Sequence, residues 1–369
     1  MAAFPVASEI FAPIITWAAQ TYGERPLAIS GGIISSLALC LASQVGSLTS
    51  FGILLFLSGI GSSMAVMSLT SAIPKYFPDN IKNVFGLICA VGAIGIMVFP
   101  PVNQHFIFLY GWRGALLIFG AINANIVVCG ALVRPLKSPH EENYTQVEGD
   151  NMSERNVDAA PNEHSRLSVH MNKLMKYLTF LFIDHPRFTF IVISEILSGV
   201  IWAGWVIFLV PHAINKGIPH QMASFLSSSG ALGTIIGRIL MGYVIQGGHV
   251  TTIQFYIILG LLNTGVFCLD LISESFAVLA IFAFINGLAS GILSILSFCA
   301  AAEILGDDSA VEGYSVITMF FPIGDQIGGI LLGYFVGMES STSFLLLGGV
   351  SALIVIVNAV ALLVPMKRL

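Results

Sequence analysis

The stretch SFAVLAIFAFINGLASGILSILSFCA occupies residues 275–300 and contains no Asp, Glu, Lys or Arg. A helix needs about 20 apolar residues to cross the hydrocarbon core of a bilayer, and this stretch is long enough. Its apolar residues are continuous and do not alternate along the chain, which favours a helix over a barrel strand. The stretch therefore predicts a transmembrane helix.

Similar runs recur along the whole chain. Hydrophobic residues make up 56% of the 369 residues and charged residues only 9%, against about 25% charged in a typical soluble protein. This composition excludes a water-soluble globular protein and predicts an all-α membrane protein with about 11 transmembrane helices. The predicted spans cover residues 3–20, 27–46, 51–73, 84–103, 114–133, 188–210, 221–245, 251–272, 275–300, 313–336 and 342–365.

One connection between the spans is long and polar. Residues 137–187 hold 14 of the 35 Asp, Glu, Lys and Arg residues, and the other 318 residues hold 21. The middle of this segment has no apolar periodicity, which predicts a disordered linker. We therefore predict an N-terminal transmembrane bundle over residues 1–136, a cytoplasmic linker over 137–187 and a C-terminal transmembrane bundle over 188–369.

The orientation follows from the Lys and Arg residues, which are enriched in cytoplasmic loops. With the linker in the cytoplasm, 12 of these residues fall inside and two, Arg113 and Lys216, fall outside. Two N-glycosylation sequons begin at Asn143 and Asn151 in the linker and indicate the opposite orientation if they are used. We favour the charge bias, because such triplets arise by chance in a polar linker.

Motifs of enzymes and ATP-driven pumps are missing from the sequence. It contains no GxxxxGK[ST], HExxH or GxSxG pattern, so neither ATP-driven pumping nor hydrolysis is indicated. The five cysteines lie in apolar runs without a CxxC pair, which predicts free thiols and no metal site. The net charge of −5 gives no basic patch for nucleic acid. We expect no enzyme, catalytic residue, metal or cofactor, with proton coupling left open.

An internal repeat relates the two bundles. The sequence FLSGIGS at residues 56–62 is similar to FINGLAS at residues 284–290. Two six-helix halves joined by a long linker resemble the plan of the major facilitator superfamily. Counted back from the linker, the first half has five spans, so the resemblance implies that the family's first helix is missing before Met1.

The most specific resemblance is to the monocarboxylate transporter family. It rests on Lys-Tyr-Phe at 75–77, on Tyr-Gly-Trp-Arg-Gly at 110–114 and on single positions between them; the matching residues are Tyr76, Phe77, Gly86, Asn103, Trp112 and Arg113. The resemblance implies secondary active or facilitative transport of a monocarboxylate or related small organic solute by alternating access. It also implies symport, a plasma-membrane location and a single-span accessory glycoprotein as partner.

The chain departs from the family at three places. Thr234 stands where proton-coupled members carry an acid, four residues before the arginine of the eighth helix. Thr21 replaces an arginine after the second helix, and Pro78 begins a segment that is basic in the family. Proton-coupled lactate transport is therefore not carried over directly. The alternative hypothesis is a truncated, non-transporting isoform or fragment that binds a partner or has a regulatory role.

Charged residues inside predicted spans are candidates for substrate binding and translocation, because a charge in hydrocarbon costs about 2.5–3.5 kcal/mol. They are Glu9, Glu195, Arg238 and Asp325. Arg238 can bind a carboxylate through two N–H groups. The alternatives are a structural ion pair or a side chain that reaches to the membrane edge.

Depth in the membrane predicts the partner of Arg238. At 1.5 Å per residue, Arg238 and Glu195 each lie about 10 Å from the linker side of their spans, and Asp325 lies about 18 Å from it. We therefore predict Glu195 as the resting ion-pair partner of Arg238. Either acid is a candidate proton carrier, because burial disfavours the charged form of a carboxyl group.

Polar and aromatic residues at helical spacing complete the candidate set. Thr234 shares a face with Arg238, and Trp202 and Trp205 share a face with Glu195. Asn286 and Ser290 begin a polar stripe that continues through residues 294 and 297. These residues either line a translocation path, or the tryptophans pack and anchor the helix while the stripe forms hydrogen bonds between helices.

Overall fold

The computed structural model describes residues 9–78, 80–134, 180–246, 251–272, 274–306, 309–336 and 340–364. Within these ranges the regular elements are helices, and a π-helical turn at Phe180–Asp184 precedes α6. The twelve α-helices are α1 (Ala12–Tyr22), α2 (Glu24–Ala42), α3 (Leu48–Tyr76), α4 (Ile81–Asn123), α5 (Asn125–Leu132), α6 (Pro186–Asn215), α7 (His220–Gln246), α8 (Thr252–Asp270), α9 (Phe276–Leu305), α10 (Ala310–Thr318), α11 (Phe321–Val336) and α12 (Ser340–Leu363).

Nine segments of the described chain are long and apolar enough to cross a membrane, and each overlaps one predicted span. They are Glu24–Ala42, Leu48–Tyr76, Ile81–Phe99, His105–Leu132, Pro186–Asn215, Thr252–Asp270, Phe276–Leu305, Ala310–Tyr334 and Ser343–Leu363. The helices α1 and α7 overlap the remaining predicted spans, 3–20 and 221–245. The apolar part of α7, Phe225–Met241, is shorter than a full span. The protein is therefore an all-α, multi-pass membrane protein.

The long helix α4 contains a break at Gly111, inside the segment His105–Leu132. Gly111 has φ of 69°, a left-handed backbone that glycine adopts without a steric penalty. It is the glycine of the Tyr-Gly-Trp-Arg-Gly run. The most specific family motif thus lies at this break, between the predicted spans 84–103 and 114–133.

Glycines set the close approach of helices within each half. In the first half, Gly31 of α2 faces the backbone of Gly61 in α3 without room for a β-carbon. In the second half, Gly287 of α9 meets the backbone of Gly230 in α7 in the same way. Small residues allow helix backbones to approach closely in membranes, where apolar side chains give little driving force for association.

The chain leaves and re-enters the bundle at one end, which we call the linker end. There the Tyr76 hydroxyl donates to the carbonyl oxygen of Arg134 at 2.5 Å and accepts from its N–H at 2.9 Å. Glu24 and Lys75 form an ion pair of 2.7 Å at the same end. Most of the predicted linker, up to residue 179, and both sequons lie outside the described residues. The three-part division and the cytoplasmic side of the linker therefore stay predictions.

The two halves meet mainly through a few helices. From the second half, α7 and α9 pack on α4, and α10 packs on α1 and α3. Arg238 lies on α7, and Glu195 lies on the neighbouring helix α6. The candidate residues are therefore positioned at or beside the interface between the halves.

Candidate functional site

Arg238 joins the two halves through its side chain. Its Nη1 donates a hydrogen bond of 2.6 Å to the backbone carbonyl oxygen of Cys89 on α4. Its Nε donates one of 3.1 Å to Oγ of Ser294 on α9. The guanidinium is therefore held between α4 of the first half and α9 of the second half.

The predicted ion pair between Arg238 and Glu195 is wrong. Within the described ranges, Arg238 forms an ion pair with neither Glu195 nor Asp325. Arg238 and Glu195 do lie at similar depths. Arg238 contacts Ser294 and Glu195 contacts Ser297, and these two serines are one turn apart on α9. The rotation of each helix about its axis decided the outcome, because Arg238 points towards α4 and depth carries no information on that rotation.

Glu195 is enclosed within the second half. Glu195 is 6% exposed. The hydroxyl group of Ser297 donates a hydrogen bond to its carboxylate, with Oγ 3.3 Å from Oε1 and 3.2 Å from Oε2. The fully buried Tyr256 of α8 lies beside the carboxylate. Ser198 is one turn further along α6, and its buried hydroxyl has no hydrogen-bond partner among the described residues. The hydroxyl groups of Ser297 and Tyr256 thus lie beside the carboxylate.

The acidic candidates lie in one region of the protein. Glu9 lies within electrostatic range of both Glu195 and Asp325. The half-buried Asp325 follows Gly324, where α11 crosses α6 so closely that Gly324 has no room for a β-carbon beside the backbone of Ile196. Tyr314 of α10 is within electrostatic range of Glu9, Glu195 and Arg238. The structure therefore brings all four charged candidates together, although they are not paired as predicted.

The remaining candidate side chains have mainly packing contacts. Trp205 is buried, and its indole packs against Gly230 of α7. A β-carbon at position 230 would lie only 3.2 Å from the ring. Thr234 donates to the carbonyl oxygens of Gly230 at 3.0 Å and Gly287 at 3.1 Å, which links α7 to α9. These contacts support the packing alternative for Trp205 and Thr234. Trp202, on the same helix as Trp205, is partly buried.

The polar stripe on α9 serves two neighbouring helices. Its residues Ser294 and Ser297 contact Arg238 of α7 and Glu195 of α6. Asn286 is fully buried, accepts a long hydrogen bond of 3.5 Å from Ser290 and has an amide nitrogen without a partner in the described part of the chain. The stripe therefore includes the hydrogen bonds between helices that were one of its two predicted roles.

The family-motif residues lie at the two ends of the first half. Phe77 is half exposed just after Tyr76, at the linker end. At the opposite end Trp112 packs edge-on against Phe51 at 5.9 Å, and the Arg113 guanidinium lies 5.1 Å from the Trp112 ring centroid, a cation–π contact.

Two further motif positions belong to the helical parts of α4. Gly86 is buried one residue after Phe85, and Asn103 is half-buried near the middle of the helix.

The sequence analysis missed a buried charged cluster at the end opposite the linker. His212 Nε2 lies 2.7 Å from Oδ2 of Asp270, and Lys216 Nζ lies 3.0 Å from the same oxygen. The His212 ring stacks on Phe344 with centroids 3.8 Å apart. The cluster ties α6, α8 and α12 together. A signal existed, since Asp270 is the one charged residue in the predicted span 251–272.

The Major Facilitator Superfamily sequence model matches residues 1–272, which is well over half of the chain. The chain belongs to the Major Facilitator Superfamily. This agrees with the plan of helices and with the expectation of a transporter fold in place of an enzyme.

Curated relatives within this superfamily carry the name expected from the sequence. Human Monocarboxylate transporter 2 is 25% identical over 324 residues, which cover 87% of this chain and 66% of the relative. Xenopus laevis Monocarboxylate transporter 12 is 27% identical over 63% of this chain and 50% of the relative. The chain thus spans about half to two thirds of the length of these relatives. The resemblance to monocarboxylate transporters is confirmed as a similarity over most of the chain.

Solved structures show the same fold. The E. coli fucose:proton symporter FucP is 15% identical and superimposes with a TM-score of 0.69 over 97% of this chain and 89% of the symporter. A structure of FucP in the outward conformation gives a TM-score of 0.68 at 13% identity, over 97% of this chain and 88% of FucP. The major facilitator fold predicted from sequence is therefore confirmed.

Proposed function

We propose that this protein transports a monocarboxylate or related small organic solute across the membrane by alternating access. The observation that carries the proposal is the position of Arg238. Its guanidinium lies at the interface between the halves and forms no ion pair with Glu195 or Asp325 in the described part of the chain. A guanidinium has five N–H donors and matches a carboxylate through two parallel hydrogen bonds.

Proton symport is the proposed mode of energy coupling. Glu195 and Asp325 lie inside predicted spans, where ionisable groups often serve as proton relays. Glu195 is the stronger candidate of the two, because it is enclosed and held by Ser297 without an ion pair among the described residues. A protonated Glu195 carries no charge, so its helix can move through an apolar environment at lower cost.

A plasma-membrane location and a single-span accessory glycoprotein complete the proposal. Both rest on the similarity to monocarboxylate transporters alone. Surface biotinylation of cells that express the chain tests the location, and co-purification from the same surface fraction tests for a glycoprotein partner. An exclusively intracellular protein contradicts the location.

The transport proposal is tested with purified protein in liposomes. Uptake of radiolabelled lactate, pyruvate and phenylpyruvate is measured with and without an inward proton gradient. We expect Arg238→Gln to abolish uptake and Arg238→Lys to restore only part of it, because an ammonium lacks the planar pair of donors. The matched control is Arg25→Gln, since Arg25 is exposed at the linker end.

The outcome separates the two hypotheses for the chain. Uptake of at least one carboxylate that depends on Arg238 supports transport. Folded protein in the membrane without uptake of any of the three acids contradicts the proposal and favours the non-transporting alternative.

A further inference from the structure

Three aromatic rings join the two halves at the linker end. Phe85 of α4 stacks on Phe298 of α9 with ring centroids 4.3 Å apart and an interplanar angle of 16°. Tyr314 of α10 packs edge-on against both rings, at 5.1 Å from Phe85 and 5.6 Å from Phe298. Phe85 and Phe298 are 3% and 0% exposed. We call these residues the aromatic cluster.

The aromatic cluster also contacts the helices around it. Tyr314 packs against the small apolar group of Ala12, Ile15 and Met67 on α1 and α3. Phe85 belongs to the same continuous core as many residues of the second half. At this depth the space between the two halves is therefore filled by side chains.

Arg238 joins the same two helices as the stacked pair, one turn further from the linker end. Cys89, whose carbonyl accepts from Nη1, follows Phe85 by four residues on α4. Ser294, whose hydroxyl accepts from Nε, precedes Phe298 by four residues on α9. Four residues rise about 6 Å along a helix. The contact between the two rings and the contacts of the guanidinium thus lie one helical turn apart and close the same part of the interface between the halves.

We infer that Arg238 also holds the linker end of the interface closed through its hydrogen bonds to Cys89 and Ser294. We call these two hydrogen bonds the latch. The hydrogen bond to Cys89 is charge-assisted and crosses from one half to the other, so any separation of α4 from α7 has to break it. In the proposed function the same guanidinium binds the substrate carboxylate. Only the statement that Arg238 has both roles rests on the proposed function. The closure itself requires no substrate.

The size of the effect follows from the kind of bond. A hydrogen bond to a charged group contributes more than a neutral one, and its loss shifts an open–closed equilibrium about tenfold or more. The substitution Arg238→Gln removes the charge and shortens the side chain, so it loses both contacts. Arg238→Lys keeps a charged donor that can reach one acceptor. Ser294→Ala removes only the contact of Nε.

A single cysteine at position 81 reports on the closure. Ile81 begins α4 at the linker end, is 6% exposed and belongs to the core shared with the second half. The five natural cysteines are first replaced, with Cys89→Ala among them, because the backbone carbonyl remains in any residue. The rate at which a charged maleimide labels Ile81→Cys is then measured in nanodiscs without added carboxylate.

We expect Arg238→Gln to raise this labelling rate about tenfold or more, with smaller increases for Arg238→Lys and Ser294→Ala. A cysteine at Thr251, an exposed residue at the linker end of α8, should be labelled at the same rate in all of these variants. Monodisperse elution and an unchanged melting temperature exclude unfolding as the cause. If the Ile81→Cys protein is labelled at the same rate with and without the Arg238→Gln substitution, the latch is overturned.

The same variants keep the latch separate from the proposed function. If Arg238→Gln loses lactate or pyruvate uptake while the labelling rate is unchanged, the latch is overturned and the transport role stands. If labelling rises while the protein with Arg238 takes up none of the tested acids, the latch stands and the transport proposal fails.

Discussion

Ser297 of α9 donates a hydrogen bond to the carboxylate of Glu195 on α6 across the core of the second half. The contact is buried, and among the described residues no Lys, Arg or His forms an ion pair with this carboxylate. A hydroxyl group can accept from a protonated carboxyl as well as donate to an ionised one. The arrangement therefore suits both protonation states of Glu195.

Glu195→Gln should separate substrate exchange from proton-driven accumulation. The amide has nearly the shape of the carboxyl group and retains a hydrogen bond to Ser297, so the helix packing is preserved. Because the amide cannot release a proton, accumulation driven by a proton gradient should disappear while counterflow of labelled substrate continues. Liposome assays of both modes check this. A Glu195→Gln protein that still accumulates substrate with the gradient contradicts the role of Glu195.

Asp270→Asn should destabilise the protein strongly. The substitution leaves Lys216 and His212 without their carboxylate, with side-chain exposures of 9% and 1%. Removing one partner of a buried ion pair costs about 3–5 kcal/mol. We expect a lower melting temperature in detergent, whereas the exposed Glu274→Gln should melt like the unmodified protein. Equal melting of the two variants shows that the cluster contributes little to stability.

Gly287→Ala should force α9 away from α7. A β-carbon at this position collides with the backbone of Gly230, which no change of side-chain rotamer can relieve. Overpacking of this kind costs about 1–3 kcal/mol, and the loss should appear in a thermal melt. Gly265→Ala is the control, because a β-carbon there meets open space. If both alanine variants melt together, the close crossing of α7 and α9 is disproved.

Protein produced in eukaryotic cells should carry no glycan at Asn143 or Asn151. The Lys and Arg bias predicts a cytoplasmic linker, and glycosylation enzymes do not reach the cytoplasm. Gel mobility before and after glycosidase treatment checks this. A mass shift that disappears in the double variant Asn143→Gln, Asn151→Gln places the linker outside and reverses the predicted orientation.

Hydropathy was sufficient to predict the helical membrane fold. In a bilayer the backbone N–H and C=O groups must be hydrogen-bonded within the protein, and long apolar helices are one of the few structures that achieve this. Each predicted span accordingly contains a helix in the described ranges. The weakest span was the one with α7, since the serines at 227–229 and Arg238 interrupt its apolar run. That interruption is also the reason Arg238 could be identified from sequence.

The contacts of the site were less accessible to sequence reasoning. Depth along a helix follows from residue counting, but its rotation is fixed by packing, as the close glycine crossings of α7 with α9 and α6 with α11 show. The acceptor on Cys89 is a backbone carbonyl, for which the residue type carries no information. Asp270 could have been found, because an acid inside an apolar span is a candidate under the rule that selected Asp325.

The two hydrogen bonds of Arg238 also set a limit on affinity. A carboxylate bound side-on needs Nε and one bound end-on needs Nη1, and these nitrogens already donate to Ser294 and Cys89. When only a fraction of molecules has the guanidinium available, the apparent dissociation constant is the intrinsic one divided by that fraction. If Arg238 binds the substrate as proposed, strong closure of the interface therefore lowers the apparent affinity for the carboxylate, because both depend on the same side chain.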